Sequence, residues 1–343
     1  MGASMTRVSP TLKRFAVLAL ALGLCLLLAW QAALRWVDSP LHLTNAEQSA
    51  LVVVPPGASA KQVAKAIEAA GVDVPAWALY AWFRWSGRAR QIQSGTYEFT
   101  EPLSPSALLN KLAKGDQALA KVTFIEGWTF RQMRQAMRQA PSLKNETESW
   151  SEEQIMAAIG MPGVAAEGRF FPDTYIYPKN SSDLEVYRQA ARAMQARLDA
   201  AWQGRSSSAA VDSRDGLLVL ASMIEKETQH DPDRQLISAV FHNRLRSGMK
   251  LQSDPTIIYG LGEAFDGDLK RVHLRTDSPY NSYTRNGLPP TPIALPSEAA
   301  LFAAAQPADS KVLFFVGKGD GSSQFSETLS EHNAAVRQFI LKR

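Results

Sequence analysis

Residues 15–30 read Phe-Ala-Val-Leu-Ala-Leu-Ala-Leu-Gly-Leu-Cys-Leu-Leu-Leu-Ala-Trp without one charge, and Gln31-Ala32-Ala33-Leu34 extends the run to 20 residues. As a helix, that length spans the hydrocarbon core of a bilayer. Arg7, Lys13 and Arg14 precede the run and only Arg35 follows closely. The positive-inside bias then keeps the N-terminus cytoplasmic and exports residues 37–343. A cleaved signal peptide would have a shorter apolar region ending in a small-x-small site. No Ala-x-Ala follows Leu28, and Trp30 and Trp36 suit an interfacial aromatic belt, so a retained anchor is expected.

The chain has 343 residues, enough for one to three domains, and its 45% hydrophobic and 20% charged residues are those of a folded protein. The formal charge of +4 is too small and too scattered to argue for nucleic acid, and suits an anionic membrane or an acidic polymer equally. Cys25 is the single cysteine, which excludes an intrachain disulfide and the Cys₄ and Cys₂His₂ zinc frameworks. The five histidines form no His-Glu-x-x-His pattern, so no metal or other cofactor is expected.

Residues 38–50 are polar and read as a linker. A small α/β unit follows: a strand at Leu51–Val54 closed by Pro55-Pro56-Gly57, a helix from Ala60 to Ala70 capped by Ser59, and a second helix over Pro75–Trp85. A strand at 95–100 and a helix over Ser104–Leu112 complete it. Trp77, Tyr80, Trp82, Phe83 and Trp85 could stack on sugars, although aromatics at helical spacing are more often core. Further on, residues 121–126 read as a strand, Thr129 caps a helix through Arg138, 141–153 reads as a loop, and Leu184–Trp202 reads as a long helix. Glu167–Tyr175 is an ordered, aromatic-rich connection.

Leu217–Glu227 is apolar on nearly every face, the mark of a helix inside a domain. A carboxyl group against apolar neighbours there loses hydration of its charged form, which raises its pKa. Glu225 shares a face with Leu218 and Ala221, whereas Glu227 projects roughly 200° away. The two therefore cannot serve one small site, and periodicity does not choose between them. Ion pairing with Arg234 and Arg244 is the alternative to catalysis.

The downstream motifs tip the balance toward chemistry. Glu-Lys-Glu-Thr (225–228) is followed by Phe-x-Asn-Arg-Leu (241–245) and Gly-Met-x-Leu-Gln-x-Asp-Pro-Thr-x-Ile-Tyr-Gly (248–260), then Tyr-Asn-x-Tyr (280–283) and Gly-Leu-Pro-Pro-x-Pro-Ile (287–293). These loop-rich stretches, dense in amide, carboxylate and phenol groups, suit a polar cleft for a hydroxyl-rich ligand. With Glu-His-Asn (331–333), they resemble the endolytic murein transglycosylase family (MltG/YceG-like) over nearly the whole chain.

The resemblance implies an α+β protein: a cytoplasmic tail (1–14), a transmembrane helix (15–36), a linker (37–50), a LysM-like module (51–120) and a mixed α/β catalytic domain (121–343, core motifs 217–333). It implies a single-pass inner-membrane lyase with its catalytic domain in the periplasm. Such an enzyme cuts nascent peptidoglycan internally and leaves 1,6-anhydro-muramoyl ends. Peptidoglycan strands are the implied substrate, and peptidoglycan synthases are plausible partners. The family's catalytic glutamate maps onto Glu225, and Glu227, Gln252, Asp254, Tyr280 and Asn281 fall on motif positions as cleft residues. Two departures stand out: Ser282 replaces a Thr common in the family, and Gln324 precedes Phe325 where a His is common, so no role of that His carries over.

Two other classes are open. Ser247-Gly248-Met249-Lys250 fits the Ser-x-x-Lys of acyl-transfer enzymes, but Ser-x-Asn and Lys-Thr-Gly partners are missing and Gly248 opposes the required helix. A non-catalytic, membrane-anchored glycan-binding scaffold is the second.

Overall fold

The computed structural model describes residues 10–44, 49–100 and 102–341. Arg7 of the expected cytoplasmic tail and residues 45–48 of the expected linker lie outside the described residues. The chain forms two compact units, Met1–Leu119 and Ala120–Arg343.

In the first unit, α1 (Pro10–Val37) is longer than the apolar run that nucleates it. Its Val17–Val37 portion has a mean hydropathy of 2.3 and is long and apolar enough to cross a membrane, with Trp36 and Val37 at its end packed against protein. Strand β1 (Ala50–Val54) pairs antiparallel with β2 (Gly95–Phe99), with Ala50 opposite Phe99. Between them run α2 (Ala60–Ala69) and α3 (Ala76–Trp85), and α4 (Pro105–Lys114) follows. Ser59 starts α2 with a capping box through Gln62, and Ser104 caps α4, which ends at Gly115 in the left-handed conformation. The aromatic residues of α3 divide by face. Phe83 is fully buried in a core with Ile67, Leu79, Tyr97 and Leu108, whereas Trp77 is 75% exposed. Trp82 donates its indole N–H to the carbonyl of Pro105. Phe83 is thus core, Tyr80 and Trp82 pack half-buried against it, and Trp77 and Trp85 are exposed.

The second unit is largely helical, with two two-stranded sheets: β3 (Leu119–Thr123) pairs with β4 (Thr174–Pro178), and β5 (Phe314–Gly317) pairs antiparallel with β6 (Ser323–Ser326). Its helices are α5 (Phe130–Arg138), α6 (Glu152–Ala158), α7 (Asp183–Gln203), α8 (Arg214–Glu227), α9 (Asp231–Arg246), α10 (Asp254–Leu261), α11 (Arg271–Arg275), α12 (Glu298–Ala305) and α13 (Leu329–Phe339). The expected loop over 141–153 in fact leads straight into α6, which Ser151 opens with a capping box.

Helix α8 is the centre of this unit. Leu217, Leu218, Leu220, Ala221, Met223 and Ile224 are all fully buried, so every face meets protein. Helix α12 packs against it through Ala300, Ala303 and Ala304, whose small side chains let the two axes approach closely. Met194 and Leu198 of α7 and Ile237 and Phe241 of α9 complete the surround. His242 is a satisfied core residue that accepts from the Ala210 N–H and bonds the Ala304 carbonyl, and burial pushes its pKa down.

Gly168 joins the aromatic connection to the Gly-Leu-Pro-Pro segment. Its φ is +76°, and an added Cβ would lie 2.5 Å from Cβ of Pro292. Gly168→Ala therefore combines left-handed strain with a clash. It should cost about 3 kcal/mol, read as a lower midpoint in chemical denaturation. A midpoint equal to wild type would show that the segment moves aside freely.

Candidate active site

Both glutamates sit at the C-terminal end of α8, and its helical turn sends them to different surroundings. Glu225 is buried beside α9 and the start of α12. Its Oε2 accepts from Nη1 of Arg234 at 3.1 Å, from the Ser297 N–H at 3.0 Å and from the Ser297 hydroxyl at 2.5 Å. Arg234 also bonds Asp231 through Nε at 2.8 Å. Ser297 caps α12 by accepting from the Ala300 N–H, which brings Glu225 to a helix N-terminus. The apolar surroundings expected for Glu225 are therefore replaced by three converging donors. The ion pair weighed as the alternative is the one observed, because Arg234 lies on the same buried wall.

Glu227 is half-buried and turns toward α10. Its Oε1 accepts from the Ser253 hydroxyl at 2.5 Å. Burial pushes this carboxyl up to about 7; nearby Asp254 adds to the rise, while the Ser253 hydroxyl and Arg244 oppose it. Glu227, Thr228, Gln229 and His230 form one wall of a cleft of about 700 Å³. Phe315, Gly317, Gly319, Gly321, Ser322 and Ser323 of the β5–β6 hairpin form the other. Asp233 ties the hairpin down by accepting from the Ser323 N–H at 2.6 Å.

The Asn-Arg pair of α9 is scaffolding for this wall. Asn243 donates to the carbonyls of Ser310 and Val312, and Arg244 to those of Leu313 and Leu251. Asp254 is exposed and accepts from the Tyr283 hydroxyl at 2.6 Å. Gln252 is exposed, and its backbone is left-handed with φ +52°, uncommon for a residue with a side chain. Glu227, Gln252, Ser253, Asp254, Arg244 and Tyr283 thus form one cluster.

Tyr280 and Asn281 line a second pocket, with Gly287, Leu288 and Pro289, and are absent from the lining of the Glu227 cleft. Asn281 is 1% exposed, and its amide donates to the carbonyls of His273 and Thr276 while its oxygen accepts from the Tyr283 N–H. Its amide N–H groups thus close the end of α11 and its oxygen holds the Tyr283 backbone, while the residue also lines that separate pocket of about 250 Å³. Tyr280 bonds Thr291 through its hydroxyl and packs edge-on against Tyr259 at 4.9 Å. Tyr259 in turn bonds Glu167, a buried carboxyl that also accepts from the Phe130 N–H at the start of α5. Burial pushes Glu167 up to about 7. Ser253, Tyr283, Ser297 and the glycine-rich hairpin were missed from sequence. Ser297 before Glu298 is a visible helix cap, and Ser253 sits inside a motif that singled out its neighbours. Among the described residues no cluster of His, Cys, Asp and Glu has the geometry for a metal.

The YceG-like family model matches residues 52–338. The chain belongs to the YceG-like family. It is 29% identical to an endolytic murein transglycosylase of Bacillus subtilis over 84% of each chain. It is 26% identical to an endolytic murein transglycosylase of Streptococcus pneumoniae, covering 89% of this chain and 61% of that protein. A yceG-like protein from Listeria monocytogenes, solved by crystallography, superposes with a TM-score of 0.54 at 26% identity, over 84% of this chain and 99% of that one.

The raised carboxyls make stability depend on pH. Unfolded, Glu167 and Glu227 would release their protons near 4.5, whereas folded they hold them to about 7. The folded state binds more protons between those values, so their contribution is full below about pH 4.5 and is lost as pH rises through about 7. The thermal midpoint should therefore fall between pH 5 and 7.5, and Glu167→Gln should flatten roughly half of that fall. A midpoint rising over this window would contradict both assignments.

Proposed function

We propose that the protein is an endolytic murein transglycosylase that cleaves the MurNAc–GlcNAc bond of nascent peptidoglycan. It leaves 1,6-anhydroMurNAc ends and so limits strand growth. The observation that carries this reading is Glu227, a carboxyl group protonated near neutral pH on the wall of a cleft of about 700 Å³. An acid poised there suits protonation of a glycosidic oxygen.

In the proposed reaction Glu227 gives its proton to the glycosidic oxygen as the bond from C1 breaks. The resulting carboxylate then takes the proton of the muramoyl 6-hydroxyl as that oxygen attacks C1, which closes the anhydro ring without water. One carboxyl group serves twice because the first step leaves it deprotonated. The second carboxylate of an ordinary glycosidase is unnecessary, since the substrate's own acetamide can meet the positive charge at C1. Gln252 and the Asp254–Tyr283 pair, at the exposed edge of the cluster, are the groups suited to orient hydroxyl and acetamide substituents.

Glu225, onto which the resemblance maps the catalytic role, fits a structural role better, because Arg234 and Ser297 hold its carboxylate. The apolar helix α1 supports a single-pass inner-membrane anchor with the N-terminus cytoplasmic and the catalytic unit periplasmic. The strand-helix-helix-strand order of the small unit supports a LysM-like module, with Trp77 as the aromatic face open to a sugar. Peptidoglycan synthases are the partners such an anchored enzyme would meet.

Product analysis by mass spectrometry tests the assignment. Glu227→Gln should fold normally and lose about 10²–10⁴-fold in release of anhydro-ended fragments. Glu225→Ala should instead lose about 3 kcal/mol of stability by stranding Arg234. Undiminished cleavage by Glu227→Gln would overturn Glu227 as the acid, and strands that are bound but never shortened by the wild type would favour the scaffold.

A further inference from the structure

Ser253 precedes α10 at the position where a serine ordinarily accepts a hydrogen bond from the first turn of the helix, yet its hydroxyl caps nothing. It points the other way and donates to Oε1 of Glu227 at 2.5 Å. The residue is 2% exposed, and its backbone is fixed on both sides. Its N–H donates to the hydroxyl of Ser282 at 2.9 Å, and its carbonyl accepts from the hydroxyl of Thr256 at 2.7 Å. The Ser282 and Thr256 hydroxyls are themselves in contact at 2.9 Å, and both residues are buried.

The left-handed backbone of Gln252 belongs to the same construction. Its N–H donates to the carbonyl of Ser282 at 3.1 Å, so two successive N–H groups, of Gln252 and Ser253, both end on Ser282. Strain of this kind persists only where the surroundings over-determine it, and here it turns the Ser253 side chain toward the end of α8. Among the described residues none donates to Oε2 of Glu227, and Glu227 lines the cleft.

We propose that Ser253 is the positioning residue of this site, holding Oε1 of Glu227 so that the carboxyl proton resides on Oε2 and is presented to the cleft. The inference rests on Glu227 as the acid. A serine donating to Oε1 makes that oxygen the carbonyl of the neutral acid, which leaves Oε2 to carry the proton. When Oε2 gives the proton to the leaving oxygen, the Ser253 bond becomes charge-assisted and stabilises the carboxylate formed. When the carboxylate takes the proton of the 6-hydroxyl, Oε2 is again the oxygen facing substrate. The other titratable and charged groups facing Glu227 are Arg244 of α9, Asp254 at the start of α10 and Tyr283 of the following loop, with His230 along the same cleft. Ser282 enters this network through its hydroxyl oxygen and its backbone carbonyl alone.

The test is the pH dependence of kcat/KM for anhydro-product release by the full chain in detergent. Activity needs protonated Glu227, so the wild-type rate falls as pH rises through about 7. Ser253→Ala removes a donor to the carboxylate, so the alkaline limb should move up by about one pH unit and kcat/KM below it should fall about tenfold. Ser253→Thr keeps the hydroxyl and should restore the wild-type limb. Ser282→Ala should shift the limb in the same direction by less, and it carries the test if thermal unfolding shows Ser253→Ala misfolded. An unmoved limb in a folded Ser253→Ala variant, whether or not the rate falls, overturns the positioning role. Glu227→Gln assayed alongside separates the two claims: an inactive Glu227→Gln with an unmoved Ser253→Ala limb sinks only this inference, whereas an active Glu227→Gln sinks the reading beneath it.

Discussion

A carboxylate placed against a hydrophobic core is stable only when donors surround it, and the contact of Glu225 with Arg234 and Ser297 satisfies that condition at the end of α8. The contact joins three elements: the end of α8, the first turns of α9 and the cap of α12. It also fixes the rotation of α8, since Glu225 can reach Ser297 from one helical face only. That rotation commits Glu227, two residues on, to the opposite side. The site depends on this constraint more than on any residue within the cleft.

The two glutamates illustrate how one short motif serves two purposes. Oε2 of Glu225 accepts from three converging donors on Arg234 and Ser297. Glu227 takes one hydroxyl and keeps its proton to about pH 7. The difference lies in the partners each face meets. Asn243 and Arg244 extend the same division of labour, since their side chains hold the chain leading to β5, and with it the hairpin that walls the cleft. Asn281 likewise holds backbone at the end of α11 through its amide.

Much of the frame was legible in the sequence. The caps at Ser59 and Thr129 marked their helices, and the unbroken apolar run from Leu217 to Ile224 announced a helix enclosed on all sides. The separation of Glu225 and Glu227 also followed from 100° per residue. What did not follow was which face carried the cleft, because the deciding partners, Ser253 and Ser297, lie 26 and 72 residues away along the chain. Helix α10 was hidden because Gln252-Ser253-Asp254-Pro255 reads as a turn, while Pro255 in fact serves as a first-turn residue. Helix α12 is so uniformly alanine-rich that it shows no polar stripe, which is what a helix buried against α8 requires.

A crystal structure of the full chain with a glycan oligosaccharide bound would address the division between the two glutamates most directly. The account predicts the scissile oxygen within about 2.6–3.2 Å of Oε2 of Glu227, with Ser253 on the other oxygen. It also predicts that the Glu225–Arg234–Ser297 contact is unchanged. A sugar bound instead against Glu225, with that contact opened, would contradict it.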